Sequence, residues 1–419
     1  MLWVIVGHSY SLTLLGFLHN LRDTVAWISS FEAVWVNSSP MTVDTFFMLS
    51  GILCVYSTIG KVSRSRFIRS LHLFYLNRLL RMFPLLAAVV LLQSSLLHHV
   101  ADGPFWQNVA QAVMSCREYW WSTLLHVQNY VNPTDLCLYH SWYLAVDVQL
   151  YMFCPIILFW LFGSSLFAWY SLVIITLLSL VATTTYSFIY NFTAGLNNPF
   201  RVLEFSDYLR LYYINTLTRA SPFFIGMMFG YVLHLYRGRN IRMSKIYVWI
   251  LWVLAFVLMA FCIFSIYPVN QRDHTAQNFD NFLNAYMRAI WACAVGWMIF
   301  ACVHGYGGPI NWFLSLRMWK LPARLSYAVY LVHLPIIIVA NGTWMKTHYF
   351  SDGDTMHRYL ADTIISIIVA FILCIAIDAP FSTLQKLLFG AGRKPTPKAV
   401  TESRTSIVNN EKNTSKTSL

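Results

Sequence analysis

Ten stretches of about 20 mostly apolar residues recur along the chain, near 2–18, 44–60, 83–100, 142–162, 165–187, 217–236, 246–267, 285–304, 325–346 and 359–381. A helix rising ~1.5 Å per residue needs about that length to cross the hydrocarbon layer of a bilayer. Hydrocarbon offers backbone amides no water, so such runs must satisfy their own hydrogen bonds as helices. The expectation is an all-α polytopic membrane protein with about ten transmembrane helices. Composition agrees, since only 11% of the 419 residues are charged and 58% are hydrophobic, against about 25% charged in an ordinary soluble domain. A disordered chain, a disulfide scaffold and a nucleic-acid binder are excluded. The net charge of +12 reads as loop charge facing an anionic leaflet.

Basic residues give the orientation. Residues 61–82 hold six of the 29 Lys and Arg, 237–245 four, 313–324 three, and the segment from 382 seven. These segments fall on alternate connections, so the positive-inside rule places them, and both termini, on the cytosolic side. Residues 1–388 read as one transmembrane domain, and 389–419, polar and without apolar periodicity, as a disordered cytosolic tail. The host membrane is expected to be the plasma membrane or the endoplasmic reticulum. The sequons at Asn37 and Asn191 fall in loops assigned to the lumen and are expected glycosylation sites. Of eight cysteines, only Cys116 and Cys137 lie outside the spans. Both sit in one luminal loop, where an oxidising compartment favours a disulfide. Met1–Phe17 has neither a charged leader nor a small-residue cleavage site, and reads as a first span whose cytosolic flank lies upstream.

An ionisable side chain inside a span costs several kcal/mol and is a functional candidate by default. His8, Asp44, Asp147, His333, Asp362 and Asp378 are singled out on that ground. The bland alternative is a helix cap or an interhelical hydrogen bond. Arg78 and Arg81 share a helix face at a cytosolic boundary, where guanidinium groups can clamp phosphate or merely anchor the topology. Two H-x-x-x-D-G matches, at His98 and His348, sit in short connections and are discarded as chance. No metal-binding or nucleotide-binding motif is present.

Five segments, in order, resemble one family. They are Met1–His8, Val43–Gly51, the Arg78-x-x-Arg81-x-x-Pro84 motif, Ser141–Gln149 with its W-Y-L-x-x-D-x-Q pattern, and Leu325–His333 with S-Y-x-x-Y-L-x-H. Together they are similar to the acyltransferase 3 family of membrane-bound acyltransferases, in its animal branch of nose-resistant-to-fluoxetine proteins. The resemblance covers residues 1 to about 390. It implies acyl transfer from a cytosolic acyl-CoA-like donor to a hydroxyl-bearing acceptor such as a lipid, a sugar or another small molecule. His8 maps to the family's catalytic histidine, with Asp44 as orienting group or acceptor ligand, and Arg78 and Arg81 as donor-binding groups. No tightly bound cofactor and no metal are implied. The implied partners are membrane lipids, acyl-CoA and an acceptor. The family also places a basic residue eleven positions before the histidine, so an upstream extension supplying Arg or Lys four residues before Met1 is expected. The competing reading is a lipid or drug transporter using the same intramembrane polar groups.

Overall fold

The computed structural model describes residues 1–388, and the expected tail at 389–419 lies outside the described residues. Among the described residues the chain is a helical bundle. Its principal helices are α1 (Leu2–Leu14), α2 (Met41–Thr58), α3 (Leu71–Ser95), α4 (Gln107–Leu124), α5 (Trp142–Leu161), α6 (Ser165–Tyr190), α7 (Thr216–Leu235), α8 (Lys245–Phe264), α9 (Gln277–Val303), α10 (Lys320–Gly342) and α11 (Asp352–Leu373). Beyond α11 the helix continues through a π-helical turn, Cys374–Asp378, into Ala379–Leu388.

Each of the ten apolar runs falls on a helix, and eight helices are long and apolar enough to cross a membrane. The protein is an integral membrane protein. The other two runs differ from the simple expectation. α1 is apolar but has only 13 residues. α7 is buried along most of its length and carries an arginine, Arg219, in its first turn. Several helices also begin earlier than hydropathy suggests. α3 starts at Leu71 rather than 83, α9 at Gln277 rather than 285, and α11 at Asp352 rather than 359. At α9 and α11 the helical hydrogen-bond ladder continues past the apolar stretch into polar residues, and at α3 it runs back through a stretch interrupted by His72, Asn77, Arg78 and Arg81. At α11 the start is set by a cap, with the Ser351 hydroxyl accepting from the Asp354 amide at 3.2 Å. Asn215 caps α7 in the same way, accepting from Leu217 at 3.0 Å.

α2 and α7 form the closest helix pair. A Cβ built at Gly226 would lie 2.1 Å from the Met48 carbonyl oxygen, one at Gly230 2.7 Å from that of Ile52, and one at Gly51 2.1 Å from that of Phe223. The Gly226-x-x-x-Gly230 spacing therefore lets two backbones touch. In lipid, where apolar surface gives helices no solvent-driven reason to associate, such van der Waals contact is what holds them. Around this centre, α6, α8 and α11 turn large apolar side chains outward, among them Leu177, Val181, Trp249, Val257, Ile364 and Ile368. That is the surface expected of helices facing acyl chains.

α4 lies in the long connection between α3 and α5. It mixes polar and apolar residues and holds Cys116 against α3. Cys116 is bonded to Cys137, closing a 21-residue separation. Gln93 of α3 donates to the backbone carbonyl of Cys137, so the disulfide loop is tied to the end of α3.

Candidate functional site

His8, on α1, and His333, on α10, are separated by 325 residues and meet in the bundle, His8 Nδ1 lying 2.8 Å from His333 Nε2. The rings are nearly parallel, with centroids 5.0 Å apart. The tautomers follow from the outer partner. His333 Nδ1 lies 3.1 Å from the Val329 carbonyl oxygen, which can only accept. A neutral His333 therefore carries its proton on Nδ1 and offers Nε2 as an acceptor. His8 must then donate from Nδ1, which leaves the lone pair of its Nε2 free. Nε2 of His8 has no hydrogen-bond partner among the described residues.

His8 lines a cavity of about 480 Å³ bounded by α1, the first turns of α2, α4 and α5, the outer half of α10 and the connections around 133–139 and 196–214. His140, Tyr143 and Tyr330 line it beside His8. None of its lining side chains is Asp, Glu, Lys or Arg, and aromatic residues such as Phe17, Phe46, Phe105, Trp142, Tyr213 and Trp344 make up much of the wall. His140 is buried, its ring centroid 5.0 Å from that of His333 and 6.4 Å from that of His8. Neither ring nitrogen of His140 has a hydrogen-bond partner among the described residues. The Tyr330 hydroxyl donates to the His140 carbonyl, fixing the start of α5 against α10.

Asp44 is not a neighbour of this pair. Its carboxylate accepts from Arg219 Nη1 at 3.1 and 3.3 Å and lies 3.9 Å from Arg288 Nε. Asp44 and Arg219 are fully buried, and Arg288 nearly so. Of the two roles left open for Asp44, orienting the imidazole or holding the acceptor, the first falls to His333, because Asp44 faces Arg219 of α7 and Arg288 of α9, and Asp44 is not among the residues lining the cavity.

Arg78 pairs with Asp147 of α5 and donates to the Ser50 hydroxyl of α2 at 3.0 Å. Its guanidinium carbon lies 4.3 Å from the centre of the Tyr151 ring. Arg81 is exposed and makes no ion pair among the described residues. One turn of α5 separates Asp147 from Tyr143, so the Arg78–Asp147 pair lies directly beneath the cavity floor. His126, in the connection before α5, packs nearby, and burial pushes its imidazole down to about 4. Asp378 is half-buried at the end of the π-helical turn and has no hydrogen-bond partner among the described residues. Asp362 accepts from the Ser9 hydroxyl at 2.9 Å and joins α11 to α1.

The two sequons differ. Asn191 is exposed, in a left-handed conformation at the end of α6. Asn37 is buried, and its Nδ2, the atom that would carry a glycan, donates to the Ile28 carbonyl at 3.0 Å. In the folded chain, then, the Asn191 residue is at the surface and the Asn37 amide is not.

Three residues at the centre of the bundle were not singled out from the sequence. His140 immediately precedes the span-opening motif and was hidden by being just outside the apolar run. Arg219 and Arg288 lie inside runs whose mean hydropathy masks a single charge, and a search for isolated arginines within spans would have found both.

Residues 1–378 match the family described as an acyltransferase domain. The chain is 26% identical to nose resistant to fluoxetine protein 6 of Caenorhabditis elegans, across 93% of this chain and 50% of that protein. It is 26% identical to regulator of hypoxia-inducible factor 1 of the same organism, across 91% of this chain and 78% of the relative. It is 24% identical to a Staphylococcus aureus (strain COL) protein named "Putative O-acetyltransferase", across 83% of this chain and 53% of that one. The chain thus spans about half the length of two of these three relatives. No solved structure matches. With a family match over nearly the whole helical bundle, the chain belongs to the acyltransferase 3 family of membrane acyltransferases.

Proposed function

We propose that the chain transfers an acyl group from acyl-CoA to a neutral, largely apolar alcohol, with His8 as the base. The observation that carries this reading is the His8–His333 pair anchored on the Val329 carbonyl, which leaves His8 Nε2 unprotonated at the wall of a cavity. A neutral imidazole so placed can accept the hydroxyl proton as the acceptor oxygen attacks the thioester carbonyl. The carbon–sulfur bond then breaks, and the imidazolium returns its proton to the leaving thiolate. The products are an ester and free coenzyme A. His333 would act through His8, holding its ring and its tautomer, and His333 is therefore a positioning residue.

The acceptor class follows from the wall chemistry. A cavity of about 480 Å³ is of the size that encloses a drug-sized molecule. Walls without carboxylate, ammonium or guanidinium groups would leave a charged acceptor unpaired in a desolvated site, at considerable cost. A sugar polymer would leave many hydroxyls unmatched for the same reason. On the donor side, Arg81 is free to meet phosphate, and Arg78 presents a partly exposed guanidinium already oriented by Asp147.

The test is incubation of the purified chain with labelled acyl-CoA and a panel of neutral and charged alcohols, followed by detection of the ester. Wild type should label neutral apolar alcohols, and His8→Ala should lose about 10²–10⁴ in rate, the usual range for a positioned base. Labelled product from His8→Ala at a rate within tenfold of wild type would remove His8 from the chemistry. Movement of the alcohol across vesicles without ester formation would favour the transport reading.

A further inference from the structure

The Asp44 cluster is out of charge balance. Two guanidinium groups, Arg219 and Arg288, share one carboxylate, and all three side chains are at least nine-tenths buried. Asp280, the single acid of α9, does not correct the sum. It is engaged by Arg201 at 3.4 Å and His274 at 3.1 Å, eight residues before Arg288, or ~12 Å along the helix. The Arg78–Asp147 pair, by contrast, is matched one to one.

The surplus charge is also short of hydrogen-bond partners. Arg219 gives Nη1 to Asp44 and Nε to the Tyr213 carbonyl at 2.7 Å, but its Nη2 has no partner among the described residues. Arg288 gives Nη1 to the Tyr212 hydroxyl and the Asn284 carbonyl, both at 3.2 Å, and its Nε, 3.9 Å from the Asp44 carboxylate, has no hydrogen bond among the described residues. Arg219 and Arg288 both line a cavity of about 20 Å³, which is also bounded by Asn284, Tyr208, Tyr213 and Ser38. Such a volume holds one water-sized particle, too little for a carboxylate or a phosphate. An unpaired charge in a low-dielectric interior is costly, and a buried guanidinium nitrogen left without an acceptor adds to that cost.

We infer that a monatomic anion of chloride size binds between Arg219 and Arg288 and completes the charge balance of the Asp44 cluster. It would accept from Arg219 Nη2 and Arg288 Nε and bring two cations and one carboxylate to neutrality. Because the cluster joins α2, α7 and α9, anion binding stabilises the centre of the bundle. The site shares Leu196 and Tyr213 with the wall of the large cavity, yet it does not depend on what that cavity binds.

The experiment uses the purified full-length chain in detergent, with sodium chloride exchanged for sodium gluconate at constant ionic strength. The melting temperature should rise saturably with chloride by a few degrees, as linkage requires of a ligand that binds only the folded state. Bromide should replace chloride, and gluconate, too large for the cavity, should not. Arg288→Gln removes the surplus cation and should abolish the chloride dependence. Equal melting temperatures in chloride and gluconate would overturn the inference and assign the cavity to water. A chloride response unchanged in Arg288→Gln would overturn the location. Should that variant fail to fold, anomalous diffraction from bromide-containing wild-type crystals decides: a peak between Arg219 and Arg288 supports the site, and none there refutes it.

Discussion

Two histidines from opposite ends of the chain meet at the centre of the proposed site, and under the proposed reading their pairing would distinguish it from a carboxylate-supported base. His333 offers His8 a neutral nitrogen, so it can orient the ring but adds little Coulombic stabilisation to the imidazolium. His333→Ala should therefore lower kcat for ester formation with little change in KM for either substrate. His333→Gln, which retains an acceptor, should recover part of the loss. Steady-state kinetics on both variants checks this, and equal losses in the two would mean that orientation is not the function of His333. A second residue-scale expectation concerns His126, whose imidazole burial pushes down from 6.5 to about 4. The folded state then binds fewer protons than the unfolded one, so stability is complete above pH 6.5 and falls as pH drops toward 4. His126→Gln removes that contribution. The melting-temperature difference between wild type and variant should shift against wild type below pH 6.5 and stay constant above it. His8 and His333 were individually legible as titratable groups in apolar runs. Their contact was not, because periodicity within one helix says nothing of which face a helix 325 residues away will meet.

At the scale of elements, the ten apolar runs were legible because lipid leaves the backbone no alternative to the helix. Their ends were not, since α9 and α11 extend into polar residues that hydropathy counts as loop, and α3 extends back through a stretch interrupted by His72, Asn77, Arg78 and Arg81. α4 was missed altogether, because its mixed composition over Gln107–Leu124 resembles a connection and its burial comes from packing on α3 and the Cys116–Cys137 bond. The Gly226-x-x-x-Gly230 spacing is the sequence signal for the closest pair, α2 with α7. Gly226→Ala should separate these helices, since its new Cβ would fall 2.1 Å from the Met48 carbonyl oxygen and backbone cannot yield as a flexible side chain does. A loss of about 1–3 kcal/mol is the usual cost of such overpacking. Thermal unfolding of the variant measures it, and an unchanged melting temperature would show that the two backbones are not in contact.

Over the whole molecule the site is layered. The large cavity is lined by the connections at one end of the bundle, and Val4, His8, His140 and Tyr143 line it on the side of the helices. The Arg78–Asp147 pair lies one turn beneath. Arg81 belongs to this lower layer, because the Tyr327 hydroxyl of α10 donates to the carbonyl of neighbouring Met82 at 2.9 Å. Asn341, at the cavity mouth, follows Tyr327 on α10 by fourteen residues, or ~21 Å of helix. Donor and acceptor would thus approach the histidines from opposite ends and meet only at the reacting carbonyl. Such a plan predicts separable kinetics. Arg81→Gln should raise KM for acyl-CoA several-fold, with KM for the alcohol unchanged. Leu12→Trp, one turn beyond His8 on the cavity wall, should raise KM for the alcohol and leave the donor constant alone. Sites this far apart without shared contacts combine additively, so the double variant should show both effects within about 0.5 kcal/mol of their sum. A donor effect from Leu12→Trp, or an acceptor effect from Arg81→Gln, would mean that both substrates use one entrance, and the layered route would have to be abandoned.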